Sequence, residues 1–229
     1  MQNIKIAVIP VAGRGNRLGE LGKETPKCLL DLNGKPLLQY IVNNIRKAGV
    51  EKIYLKSIYQ KEKFQEFASG KEIEFIDTIK KESELGNIWC DMNLEGDILF
   101  CVGDVINDVD IKDLYKFHLK NKSDFTIVSK KIQYKIPKGV MKISNKKLTE
   151  YMEKPNVNIN MAIGTFIIKG ELFKLVPNNK RYNIPDFIND MLKLDKRVFV
   201  YDYYGEFISI DTLQDYEEAQ RRILTWHQD

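Results

Sequence analysis

The chain has 229 residues, 43% of them hydrophobic and 30% charged, which excludes a disordered chain and allows one domain with a full core. Its net charge of +4 suits small anionic ligands such as phosphates and is too weak to argue for nucleic acid. The cysteines (Cys28, Cys90 and Cys101) are odd in number and form no CxxC pair, which argues against a disulfide framework and for a reducing, cytoplasmic location.

The opening MQNIKIAVIPVAG is too short and too quickly interrupted for a signal peptide. No apolar run approaches the roughly 18 residues needed to cross a bilayer, so no membrane partner is expected. Ile4–Val11 reads as a buried strand. Leu37, Leu38, Ile41, Val42 and Ile45 then recur at helical spacing, with Pro36 at the first turn. Lys52–Ile58 reads as a strand, Lys61–Ala68 as a helix and Ile73–Ile76 as a third strand. Ile98–Val102 is almost continuously apolar, as befits a central parallel strand covered on both faces. A helix over Ile111–Leu119 and a strand over Phe125–Val128 follow. After Lys130 the spacing predicts short strands at Gly139–Ile143, Leu148–Met152 and Gly164–Ile168. Helices near Glu171–Val176 and Pro185–Leu194, a strand at Val198–Tyr203 and a closing helix over Leu213–Leu224 complete the series. The βαβ alternation predicts an α/β fold, a Rossmann-like, mostly parallel sheet with helices on both faces. No Gly/Ser/Pro-rich linker divides the chain, so residues 1–229 are expected to form one domain.

The first strand runs into Val-Ala-Gly-Arg-Gly-Asn-Arg-Leu, with Pro26-Lys27 beyond it. In open α/β sheets ligands sit outside the carboxyl ends of the strands, where this loop lies. Gly13 and Gly15 let backbone amides approach anionic oxygens, and consecutive amides can form an anion-binding nest. A dinucleotide fingerprint is disfavoured, because its third glycine position holds Leu18 and the next predicted helix starts only near Pro36. The P-loop pattern GxxxxGK[ST] is absent. A solvated turn is the remaining plain reading, and Arg17 and Lys27 bracketing the loop count against it.

These segments resemble the nucleotidyltransferases that join a nucleoside triphosphate to a sugar 1-phosphate or a phospho-alcohol. The resemblance rests on GxGxRL at residues 13–18, TPKCLLDLNGKPLLQY at 25–40, Leu85-Gly86, CVGD at 101–104 and MEKP at 152–155. Gly164 with Phe166, and ISIDTLQDYEEA at 208–219, complete it along nearly the whole chain. It implies a nucleotidyltransferase (GT-A-like) architecture, with a nucleotide-binding half over residues 1–130 and an acceptor-binding half over 131–229. It also implies nucleotide contacts at Ala12, Gly13, Gly15, Asn16 and Gly86, Mg²⁺ on Asp104 and Asp211, and acceptor contacts at Glu153, Lys154 and Gly164. Arg17 and Lys27 take the catalytic role, because a guanidinium can fork onto departing phosphates and an ammonium is a compact charge suited to the α-phosphate. Two aspartates at strand ends give hard oxygen ligands.

Departures from the pattern shape the substrate expectation. Asn16 stands where Thr is usual, Asn87-Ile88-Trp89 follow Leu85-Gly86 where many members continue with Thr-Ala, and Ala162 stands where sugar-specific members carry Asn. Val11-Ala12-Gly13 is closer to the uridylyl- and cytidylyltransferases, and the length to small phosphocholine-type cytidylyltransferases, so a pyrimidine nucleotide is favoured, CTP first. A mannose- or heptose-1-phosphate guanylyltransferase is the alternative. A glycosyltransferase would instead use the Asp108/Asp110 pair, which reads more simply as capping for helix 111–119, and a silent binding module would have lost the charged groups. Asp211 could equally cap the last helix. With His118 and His227 as the only histidines, a histidine metal site or a Ser-His triad is excluded.

Overall fold

Amphipathic helices need a sheet to bury against, and the computed structural model shows how this chain supplies one. It describes residues 3–11, 13, 15–57, 60–77, 94–177 and 182–226. The first half comprises β1 (Ile6–Pro10), a short α1 (Glu20–Glu24), the two-residue strands β2 (Asp31–Leu32) and β3 (Lys35–Pro36), α2 (Leu37–Lys47), β4 (Lys52–Ser57), α3 (Lys61–Ala68) and β5 (Ile73–Asp77). Then come β6 (Asp97–Cys101), β7 (Val105–Asn107), α4 (Ile111–Lys120), β8 (Phe125–Lys135), β9 (Val140–Ser144), β10 (Lys147–Met152) and β11 (Asn156–Lys169). A 3₁₀ turn over Gly170–Leu175, α5 (Ile184–Lys193), β12 (Val198–Tyr203), β13 (Phe207–Ser209) and α6 (Leu213–Arg222) close the series.

Among the described residues the main sheet has seven strands in the order β12-β8-β11-β6-β1-β4-β5. All neighbours are parallel except β11, which runs antiparallel to both β6 and β8. The fold is therefore α/β, as the alternation predicts. β1 is apolar throughout because it lies between β4 and β6 with both faces covered, and Ala7, Val8 and Ile9 are fully buried. One face packs on the apolar stripes of α2, α3, α4 and α6, through side chains such as Leu38, Ile41, Phe64, Leu114 and Ala219. The other packs on α5 and the Gly170–Leu175 turn through an aromatic cluster. There the Phe125 ring lies 5.6 Å from Phe166 and 5.7 Å from Phe187. Cys28 and Cys101 are buried free thiols; burial pushes the Cys101 thiol up to about 12. Cys90 lies outside the described residues.

The strands expected at Phe125–Val128 and Gly164–Ile168 are much longer in the structure. β8 runs on to Lys135 and β11 starts at Asn156, so the two form a ribbon beyond the covered sheet, with Tyr134 opposite Val157 and Ile132 opposite Ile159. Reading only apolar runs stops where burial stops. The extension is held by its own ladder, and its signature is the alternation Asn-Val-Asn-Ile-Asn-Met at 156–161.

At the opposite end of this strand pair, where β8 begins and β11 ends, one carboxylate clamps the sheet. Asp124 accepts from Lys169 Nζ (2.7 Å), Arg197 Nη2 (3.0 Å) and the Arg197 amide (2.9 Å), tying the starts of β8 and β12 to the end of β11. The Arg197 guanidinium, with Lys169, holds this carboxyl well below the usual carboxylate range. A depressed folded-state value means the stabilisation is present above the unfolded value of about 3.9 and is lost as pH falls through the folded one. Asp124→Asn is expected to cost about 1–2 kcal/mol near neutral pH, part of the interaction being screened at the exposed Arg197. The gap between the thermal melts of parent and variant should begin to narrow as pH falls below about 4 and close only once pH has passed through the folded-state value.

Candidate active site

The loop after β1 is built by glycines with different tasks. β1 continues through Val11, whose amide donates to Lys56 O (2.8 Å) and whose carbonyl accepts from the buried Ser57 hydroxyl (3.3 Å). Gly13 faces open space, and a side chain there would meet no protein atom within 4 Å. Gly15 instead sits at φ +63°, in the left-handed region that opens a 3₁₀ turn over Asn16–Leu18, and its carbonyl accepts from Leu18 N (2.9 Å). The turn alone therefore favours glycine at this position. α1 follows directly, so the chain turns helical well before Pro36. Gly22 of α1 packs its Cα against the Gly15 carbonyl, where an added Cβ would collide with that oxygen. We expect Gly22→Ala to distort the loop, costing about 1–3 kcal/mol as an overpacking change, and to weaken triphosphate binding in isothermal titration. Unchanged binding would show that the loop does not hold the nucleotide.

The second part assembles where β1 and β6 end. The Gly103 amide donates to Pro10 O (3.3 Å), which seats Asp104 beside the loop. β7 and β13, two short strands absent from the sequence reading, pair with Val105 opposite Ser209, and Ile210 N donates to Asp104 O (3.3 Å). This ribbon delivers Asp211 to Asp104 across more than a hundred residues of chain. Lys27 follows Pro26 in a 3₁₀ turn over Lys27–Leu29 and enters from the other side. Its Nζ lies 2.5 Å from Asp104 Oδ2 and 3.1 Å from Asp211 Oδ1, with the side chain only 8% exposed. Arg17 Nη2 reaches Asp211 Oδ1 at 3.2 Å from a largely exposed position. Burial alone would lower the Lys27 ammonium, but Asp104 and then Asp211 outweigh it and raise its pKa above the ordinary lysine value. Four of the sequence-predicted residues therefore meet in one charge-balanced cluster.

Asp211 does not cap α6. Thr212 is the N-cap, in a capping box with Asp215. The Asp215 carboxylate also accepts the Asp211 amide (3.1 Å), so the helix start fixes the backbone that carries Asp211. Burial opposes ionisation of Asp215, but bonds from Thr212 and the Asp211 amide lower its pKa below the usual range. The sequence signal for this residue was Thr-x-x-Asp at 212–215; Gly22 carried no comparable signal.

Other predicted residues lie elsewhere. Ala12 and Gly86, with Trp89, lie outside the described residues. Asn16 is exposed on the loop turn. Glu153 and Lys154 sit just past β10, both exposed, and Glu153 takes the Tyr151 hydroxyl (2.6 Å) rather than Lys154. Gly164 lies within the register shift between β11 and β8, packs on Val102 and accepts its amide (2.9 Å). Of the Asp108/Asp110 pair, only Asp110 caps α4, through Asp113 N (3.0 Å); Asp108 accepts the Tyr203 hydroxyl instead. His118 is buried with Nδ1 2.7 Å from Thr126 Oγ1 and Nε2 3.5 Å from Asp97, a core role.

Among the described residues no group of three or more His, Cys, Asp or Glu side chains is placed to hold a metal. The Asp104–Asp211 pair nevertheless fits magnesium, which is held through one or two carboxylates plus waters and substrate phosphates. Both carboxylates already converge on one cation, the Lys27 ammonium. No helix of the described residues is long and apolar enough to cross a membrane.

Among curated proteins the chain is similar to the mannose-1-phosphate guanylyltransferase of Mycobacterium tuberculosis, 25% identical over 86% of this chain and 58% of that protein. It is also similar to the D-glycero-alpha-D-manno-heptose 1-phosphate guanylyltransferase of Aneurinibacillus thermoaerophilus, 23% identical over 95% of this chain and 97% of that one. Three of its curated relatives are longer, and the chain spans 40% to 63% of their lengths. Crystalline HddC of Yersinia pseudotuberculosis shares the fold, with a TM-score of 0.70 at 19% identity over 96% of this chain and 100% of HddC. The nucleotidyl transferase family itself matches residues 6–225, from β1 through the end of α6. The chain belongs to the nucleotidyl transferase family.

Proposed function

We propose that the chain transfers a nucleotidyl group from a nucleoside triphosphate to a sugar 1-phosphate. An oxygen of the acceptor phosphate attacks the α-phosphorus, a new P–O bond forms, the bond between the α-phosphorus and its bridging oxygen breaks, and the electron pair leaves with pyrophosphate. One observation carries this: Lys27, Arg17, Asp104 and Asp211 converge at the carboxyl ends of β1 and β6, beside the glycine loop. Such transfers are catalysed by positioning and by opposing the charge that develops. In this reading Lys27 meets the α-phosphate, and Arg17, exposed beside it, meets the departing phosphates. Magnesium, if held by Asp104 and Asp211, would neutralise the charge that develops on the phosphates. Glu153 and Lys154, in the half of the chain after residue 130, are the groups for the acceptor's hydroxyls and phosphate. Asp110 caps α4 and Asp108 accepts the Tyr203 hydroxyl, which counts against the glycosyltransferase reading.

The sequence expectation put CTP first. Guanine nucleotides now take that place in our reading, because both curated relatives described above are named guanylyltransferases and HddC has been crystallised with GMP-PN. The test is a pyrophosphate-release screen of GTP, CTP, UTP, dTTP and ATP against hexose and heptose 1-phosphates and phosphocholine. Release with GTP and a sugar 1-phosphate is the expected result. Preference for CTP with phosphocholine would restore the earlier expectation. No release in any combination would overturn the reading.

A further inference from the structure

We infer that the Lys27 ammonium occupies the metal position between Asp104 and Asp211 while the site is empty, so that the metal enters together with a triphosphate and not as the free ion. The inference rests on the nucleotidyltransferase reading for what is bound, and on the geometry for how. Lys27 Nζ lies within salt-bridge distance of both carboxylates, at 2.5 and 3.1 Å, and its side chain is 8% exposed. A divalent ion bridging Asp104 and Asp211 needs the same oxygens. Two cations cannot share that space, because like charges at contact distance in a partly buried site repel strongly.

The two cationic side chains Lys27 and Arg17 balance the two anionic ones, Asp104 and Asp211. A free divalent ion would have to displace the buried Lys27 from both carboxylates it pairs with among the described residues. A triphosphate resolves the conflict, since its phosphate oxygens accept the displaced Lys27 and Arg17 while the ion takes the carboxylates. Each ligand prepares the site for the other, which is a positive coupling and therefore reciprocal. Arg17 is lightly held, by one bond at 3.2 Å from a side chain 73% exposed, so the cluster opens from its side. The clamp of Asp215 on the Asp211 backbone keeps one carboxylate in place while the cations move.

The test uses Mn²⁺ alone, read by electron paramagnetic resonance of the free ion, on the full chain without nucleotide. The parent is expected to bind Mn²⁺ weakly. Lys27→Met is expected to bind it roughly 5–150-fold more tightly, the range typical of such couplings. The same variant should melt lower than the parent without metal, because two carboxylates lose their cation, and should regain stability when Mn²⁺ is added. The parent's melt should barely respond. Adding Asp104→Asn to Lys27→Met should abolish the tightening, which places the ion between these two carboxylates. Should Lys27→Met fold poorly, Lys27→Gln, polar and uncharged though one atom shorter, must show the same tightening. Equal Mn²⁺ affinity in parent and both variants would overturn the inference, as would a parent that binds free Mn²⁺ as tightly as the variant. Neither result depends on turnover, so a failure here leaves the pyrophosphate screen to judge the reaction separately.

Discussion

Asp104→Asn and Asp211→Asn are each expected to lower turnover by more than a hundredfold. The charge stabilisation that a metal on these carboxylates supplies is worth several kcal/mol, and about 3 kcal/mol already exceeds a hundredfold in rate. Stability should respond too, because the same carboxylates compensate the buried Lys27 ammonium. Asp211 receives both Lys27 and Arg17, whereas Asp104 makes the shorter contact with Lys27. Either change leaves Lys27 with one partner, so a loss of about 1–3 kcal/mol is expected in denaturant melts without metal. Raising the Mg²⁺ concentration should recover part of the turnover and none of the apo stability. Full activity in either variant would remove these residues from the metal role.

Arg17→Ala carries the second large effect. Its guanidinium is exposed and reaches the cluster through Asp211 alone, so the fold does not depend on it and the melt should hold steady. Charge grows on the departing pyrophosphate as the bond to the α-phosphorus breaks, and a contact that strengthens in the transition state raises kcat rather than only tightening binding. Loss of one such donor costs about 3–4 kcal/mol, or roughly 10²–10³ in rate. The fall should therefore appear mainly in kcat, with the nucleotide KM changing less. Arg17→Lys should recover only part, because an ammonium cannot reproduce the bidentate fork. If Arg17→Ala turned over like the parent, or lost only nucleotide affinity, the leaving-group role would be wrong.

Much of this molecule was legible in one dimension because its signals are local. The run at Ile98–Val102 is apolar because β6 is covered on both faces, and Leu37 to Ile45 recur at helical spacing because α2 buries one stripe. Lys61–Ala68 and Val198–Tyr203 have the bounds read from the sequence. Residue types at the site were legible for a similar reason. Phosphate chemistry needs glycines, fixed cations and hard oxygen ligands, and these stand in short motifs at the ends of apolar runs.

What only the tertiary structure decided is which of those residues meet. Pairing of Val105–Asn107 with Phe207–Ser209 brings Asp211 to Asp104, yet each segment has three residues and so carries too little periodicity to be read. The ribbon of β8 and β11 past the buried sheet escaped for the opposite reason, since its strands are stabilised by each other and not by an apolar run. Gly15 is expected from sequence as a phosphate contact, and the fold adds that it is a left-handed turn residue, closed by Gly22 in a contact no spacing rule announces. Above all, sequence assigned Lys27 to a phosphate and Asp104 and Asp211 to a metal as separate roles. In the empty site these charges face one another. A buried ammonium that has lost its water must find anions, and the only way to learn which ones is to see the chain folded around it.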